Sequence, residues 1–128
     1  MNLTELKHRL DLKSHPARFF RQEADGRVQC YLCPRNCKIP IERSGFCKVR
    51  WNEDGKLATI NYGTSVQMTQ EVIETEAVLH HSPGAPILSL GNIGCMMNCD
   101  YCHNWNTSQM MHVQKQDVFH YTPEQVVQ

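Results

Sequence analysis

The apolar positions of the chain change period along its length, and each change marks an element. Leu3, Leu6 and Leu10 recur at spacings of three and four, which places them on one face of a helix over residues 2 to 12. Asn2 suits its N-cap, and Glu5 stands three positions on, where a capping box needs it. The period then shortens. Phe19 and Phe20 before Asp25-Gly26, with Val28 after it, predict a hairpin over residues 17 to 30, Asp-Gly supplying the positive φ of a two-residue turn. A second hairpin is predicted over residues 46 to 62: Val49 and Trp51 precede Asp54-Gly55, and Leu57 and Ile60 follow it. From 64 to 82 the pattern is mixed. Val66 and Met68 indicate a short strand, and residues 71 to 79 suit either strand or helix. Residues 86 to 90, Pro-Ile-Leu-Ser-Leu, are an apolar run closed by Gly91, which suits the first buried strand of a parallel sheet or barrel. Thr122-Pro123-Glu124-Gln125 opens a helix, with threonine as N-cap, proline in the first turn and glutamine completing the box.

Length and charge narrow the classes. The chain has 128 residues, enough for one domain of ordinary size with a modest core. Its 13 basic side chains balance its 13 acidic ones, so no broad field draws it to nucleic acid or to a membrane surface. No apolar run approaches the roughly 20 residues of a membrane span, and the polar, charged N-terminus is unlike a signal peptide. Seven cysteines are many for this length, and an odd number argues against a fully paired disulfide framework. Metal-ligating thiolates persist in a reducing compartment, which predicts a cytoplasmic protein.

The cysteines divide into four and three. Cys30, Cys33, Cys37 and Cys47 have the spacing C-x-x-C-x-x-x-C-x9-C, with Pro34 and Gly45 beside them to help the backbone wrap an ion. Three readings stay open for this group: a structural zinc site that staples a small subdomain, an auxiliary iron–sulfur cluster, and metal-free thiols. Cys95, Cys99 and Cys102 have the spacing C-x-x-x-C-x-x-C. Three thiolates on one loop suit a four-iron cluster whose fourth iron lacks a protein thiolate. Gly91 and Gly94 allow the turn around it, and Met96 and Met97 read as loop packing.

The residues around that loop carry a resemblance. The loop itself, with aromatic Tyr101 before its third cysteine, resembles the cluster motif of the radical S-adenosylmethionine (radical SAM) superfamily, and its flanks Pro83-Gly84, Ile87-Leu88-Ser89-Leu90-Gly91, Gly94-Cys95, Cys102-His103-Asn104-Trp105 and Ser108-Gln109 narrow the match. Within it they are similar to the pyruvate formate-lyase activating enzyme-related proteins and to the radical SAM component of the AmmeMemoRadiSam system. His103 matches the activases, whereas the four N-terminal cysteines match the AmmeMemoRadiSam proteins. The resemblance runs from about Ala17 through most of the chain. It departs most at Val72-Ile73-Glu74-Thr75-Glu76-Ala77, where two expected lysines are absent. His80 matches a histidine common in the family and otherwise reads as a packing residue.

The resemblance implies a fold and a chemistry. The fold expected is α/β, the start of a partial (βα) radical SAM barrel, truncated, and preceded by a small cysteine-rich β-hairpin metal-binding subdomain. Residues 1–63 would be the helix and the four-cysteine metal-binding subdomain, and 64–128 a linker with the first strand–loop–helix portion of the barrel. The stretch after position 90 holds about one crossover, since a βαβ unit takes roughly 30 residues or more. The chain is therefore expected to be the N-terminal part of a longer protein or a truncated reading frame. Cys95, Cys99 and Cys102 would hold a 4Fe-4S cluster whose open iron chelates S-adenosylmethionine, with Tyr101 against the adenine. Reductive cleavage would give a 5′-deoxyadenosyl radical that abstracts hydrogen, in one branch from a glycine of a partner enzyme. Flavodoxin or ferredoxin is implied as electron donor, and a protein substrate or Memo-like protein as partner. The rival readings are a non-enzymatic zinc or iron–sulfur module that binds a partner, and an electron-transfer protein with two clusters.

Overall fold

The computed structural model of the protein describes residues 2–128. The N-terminal helix forms as its pattern predicts: α1 spans Leu3–Leu10, and Asn2 and Glu5 make both halves of the capping box. It stops where Asp11 takes a left-handed conformation (φ 56°), a position that Asp tolerates better than most residues. Leu3, Leu6 and Leu10 are buried together with Leu12, Val49, Trp51, Ile60, Ile93, Met110 and Val113. Each fully buried leucine contributes about 2 kcal/mol. This core therefore draws on the helix, the second hairpin and the segments on either side of the second cysteine loop.

After β1 (His15–Pro16) come β2 (Phe20–Gln22) and β3 (Val28–Cys30), an antiparallel pair, with β4 (Lys38–Ile39) added to the far side of β3. The first hairpin turns differently from the expectation. Glu23 still pairs with Arg27, its N–H donating to the Arg27 carbonyl at 2.8 Å. The connection is therefore three residues, and Gly26 alone of them has positive φ (81°), the usual position of glycine in such a loop. The second hairpin turns as predicted. β5 (Arg50–Glu53) and β6 (Lys56–Thr59) are joined by Asp54 and Gly55, at φ 50° and 77°. β1 pairs with the other edge of β6. Val28, Cys30, Ile39 and Leu57 form a second small core under the first hairpin, with Ala17, Phe20 and Cys37 against it.

Asn52 joins the two hairpins. It is 0% exposed. Its amide donates to the carbonyls of Gly26 and Ile39, both at 2.9 Å, and its oxygen accepts the Gly55 N–H at 2.8 Å. A buried amide with its partners satisfied adds specificity without the desolvation penalty of an unpaired one.

The second half is looser. β7 (Thr64–Ser65) pairs with the late strand β10 (Phe119–His120), and β8 (Thr69–Val72) pairs with β9 (Pro86–Ser89). A 3-10 turn over Ile73–Glu76 follows β8. α2 (Trp105–Ser108) and α3 (Pro123–Val126) are single turns, and α3 carries the expected Thr122/Gln125 capping box.

The barrel expectation is corrected here. Among the described residues every strand pair is antiparallel, in sheets of two or three strands, and none closes. β9, expected as a buried parallel strand, lies antiparallel to β8 with Val72 opposite Pro86 and Thr69 opposite Ser89. Its faces alternate: Ile87 is half-buried and Leu88 is 52% exposed. An apolar run does not name its partner, and the polar segment Thr69-Gln70-Glu71-Val72 takes that place. The architecture is a mixed α and β fold of several small sheets, not the start of a (βα) barrel.

Candidate functional site

β3 ends at Cys30, which is buried. The loop after it folds back so that the Cys30 N–H donates to the Cys37 carbonyl at 2.9 Å. Within it the Asn36 N–H donates to the Cys33 carbonyl at 3.1 Å, with Asn36 at φ 45°. Gly45 allows the next approach. A Cβ there would stand 3.2 Å from Ile39 Cδ1 and 3.6 Å from Cys37 Sγ. Beyond it the Lys48 N–H donates to the Gly45 carbonyl at 3.1 Å, closing a turn over Phe46 and Cys47.

The result is a cavity of about 200 Å³ with Cys30, Cys33, Cys37 and Cys47 in its walls. Cys95 completes the set from the second cysteine loop, and Arg35, Phe46, Arg50 and Asn61 stand beside the thiols. All seven cysteines are unpaired thiols. Burial pushes the Cys30 thiol above its ordinary pKa; the Leu32 N–H and the Arg50 charge pull it back in part, and Cys47 and Cys33 push it up.

Two anchors bring Cys95 there. Gly94 (φ 84°) is pressed against Val49 and Met110, so closely that a Cβ would collide with the Val49 side chain. Its N–H donates to the Thr107 carbonyl at 3.0 Å, and the Asn61 amide holds the Ile93 carbonyl at 2.9 Å. Arg35 makes the bridge between the two cysteine segments. Its guanidinium lies 3.4 Å from the centre of the Phe46 ring, and its Nε donates to the Met96 carbonyl at 2.8 Å. A planar cation held by a ring and a carbonyl together is fixed in orientation.

The other two loop cysteines, Cys99 and Cys102, do not line this cavity. Cys102 Sγ lies 3.3 Å from Ser108 Oγ, and the Cys99 carbonyl accepts from the Gln109 side chain at 3.2 Å. Tyr101, expected against an adenine, is 90% exposed. The grouping seen is thus five thiols at one cavity, whereas the sequence divides them into four and three. Spacing gives no sign that Cys95 joins the N-terminal set, or that Arg35 and Asn52 matter, because each of these contacts is made by the tertiary fold.

The expected cofactors do not fit this arrangement. Among the described residues no group of three or more histidine, cysteine, aspartate or glutamate side chains converges so as to hold a metal ion. The 4Fe-4S cluster expected on Cys95, Cys99 and Cys102 is corrected, because these three side chains do not converge as a metal-holding group. The zinc or auxiliary cluster expected on Cys30, Cys33, Cys37 and Cys47 is corrected too, since these thiols stand around a cavity without meeting at a common centre. With no cluster site there is no open iron for S-adenosylmethionine. The radical SAM oxidoreductase reading loses its basis, as do the metal-module and two-cluster rivals.

No family model matches the chain, and no solved structure matches it. The resemblance to the radical SAM family is corrected on those findings together with the geometry of the cysteines. No described helix is long and apolar enough to cross a membrane. Among curated proteins the chain is similar to an uncharacterized protein of Methanocaldococcus jannaschii, 34% identical over 115 residues, a stretch that covers 88% of this chain and 33% of that protein. The chain spans about a third of the length of the curated relative it matches.

Proposed function

We propose that the chain is a redox-responsive thiol module, whose cavity cysteines pass between free thiols and disulfides by exchange with other disulfides. One observation carries this reading: five free thiols, Cys30, Cys33, Cys37, Cys47 and Cys95, line a single cavity. The thiolate is the attacking species in exchange, and nearby cations favour it. Arg35 and Arg50 stand in the cavity wall, and at Cys30 the Arg50 charge opposes the effect of burial. A cytoplasmic setting suits the reading, because thiols kept reduced there are ready to respond to an oxidant. A protein partner suits it as well. Tyr31, Leu32, Phe46, Met96 and Met97 are exposed apolar side chains next to the cavity cysteines in sequence or at its rim, and such side chains attract apolar segments.

Thiol titration in a series of glutathione buffers tests the proposal. The native chain should lose reactive thiols in pairs as the buffer becomes more oxidising, and regain them on reduction, with intact mass reporting the loss of two hydrogens per disulfide. Thiols that stay free across the whole series would overturn it. Stoichiometric zinc or iron that copurifies and shields these cysteines from titration would overturn it as well.

A further inference from the structure

Two of the cavity thiols border a second cavity as well. A second cavity, of about 340 Å³, opens beside the first and is lined by Cys47, Cys95, Asn98, Ser108 and Met110. Cys47 and Cys95 are the cysteines common to both cavities, so they lie in the wall that divides them. Arg35 points independently to the same pair. It stacks on Phe46, which precedes Cys47, and it bonds the carbonyl of Met96, which comes after Cys95. One guanidinium therefore holds a neighbour of each of these two thiols, the Phe46 ring and the Met96 carbonyl. Gly94, wedged against Val49 and Met110, fixes the loop from the other side of Cys95.

We infer that Cys47 and Cys95 form the exchangeable disulfide of this chain, with a low-molecular-weight disulfide as oxidant and Arg35 as the positioning residue. This rests on reading the cavity as a thiol redox site. The step balances as ordinary exchange. The Cys47 thiolate attacks one sulfur of the small disulfide, which forms a mixed disulfide and releases one small thiol. The Cys95 thiolate then attacks Cys47 Sγ, and the second small thiol leaves. The two protein thiols are oxidised, the small disulfide is reduced, and the two protons released by the protein end on the small thiols. Cys47 and Cys95 both border an open cavity on each side, which gives the small disulfide a route in and the small thiols a route out. The link would tie the first cysteine segment to the second loop, so its formation is a structural signal as well as a chemical one.

The experiment is a peptide map of the full chain equilibrated in reduced and oxidised glutathione, quenched by alkylation and digested without reduction. The expected result is a cross-linked pair of peptides containing Cys47 and Cys95, formed before any other. Cys95→Ser should remove that pair and leave a glutathione adduct on Cys47. Arg35→Gln should lower the cross-linked fraction severalfold at a fixed glutathione ratio while the total thiol count after reduction stays the same. Arg35→Lys, which keeps the charge but loses the planar stack, should fall between. Disulfides that form only among Cys30, Cys33, Cys37 and Cys47 would overturn the assignment of the pair and leave the redox reading standing. No disulfide under any ratio would overturn both. The wild-type map decides the pair by itself, so a variant that fails to fold does not weaken the test.

Discussion

The two cysteine segments look alike in sequence and are built in opposite ways. Cys30 to Cys47 is built on paired strands: β3 leads into it and pairs with β4 within it, Val28 and Ile39 are buried there, and Asn52 ties this pair to the second hairpin. Cys95 to Cys102 contains no strand, and the first element after it is the single turn of α2. It is held at its base by Gly94 and Ile93 and at its far end by Gln109 and Ser108, and its middle, with Met97 and Tyr101, faces outward. Close spacing of cysteines therefore sets only how far apart the thiols can be. Where they point is decided by the packing behind them.

The strongest way to break this comparison is at Asn52. Replacing it with alanine leaves the buried carbonyl of Ile39 and the partly buried carbonyl of Gly26 and N–H of Gly55 without their partner. Each unsatisfied group costs about 1–3 kcal/mol, so Asn52→Ala should destabilise the chain by about 4 kcal/mol in urea unfolding. The damage should centre on the first segment, and faster alkylation of Cys30 in the variant under native conditions would show it. A loss below about 1 kcal/mol would mean that the hairpins hold together without this side chain.

Gly94 is the corresponding weak point of the second segment. Alanine there is strained at φ 84° and collides with Val49. Overpacking costs typically about 1–3 kcal/mol, and an alanine forced to positive φ costs more than a compatible one gains. Gly94→Ala should therefore cost about 3 kcal/mol in total. It should also move Cys95 away from the first cavity, so the Cys47–Cys95 cross-link should fall while disulfides confined to the first segment persist. Equal loss of both would show that the two segments are a single unit.

Legibility in the sequence divides along the same line. α1 is readable because its apolar spacing and both halves of its capping box lie within a few residues. The Asp54–Gly55 turn is readable because both residues tolerate the positive φ it needs. The first hairpin turn differs by one residue from its expected form, since a three-residue loop needs positive φ at Gly26 alone. β9 is legible as a strand, but its partner is not, because β8 is mostly polar and gives no apolar signal. The cofactor expectations fail for a related reason. Spacing within Cys95–Cys102 describes a loop, whereas the company Cys95 keeps depends on Arg35 and Gly94, which are remote from each other in sequence.

The smallest effect concerns Cys30 and sharpens the contrast in a single atom. Burial is the largest influence on its thiol and raises its pKa, while the Arg50 charge opposes the rise. Only the thiolate reacts with iodoacetamide. At neutral pH Cys30 in the native chain should therefore alkylate more slowly than the same residue in urea. The linkage to stability has a definite sign. The folded chain keeps this proton at a pH where the unfolded chain has lost it. The contribution of Cys30 is thus fully present below the ordinary thiol pKa and is lost as pH rises through the higher folded value. Stability measured from neutral to alkaline pH should fall, and Cys30→Ser should remove that part of the slope. Arg50→Gln should slow native alkylation of Cys30 further, because it removes the charge that favours the thiolate. Native alkylation of Cys30 as fast as in urea would contradict its burial, and with it the rigid frame that separates the first segment from the second.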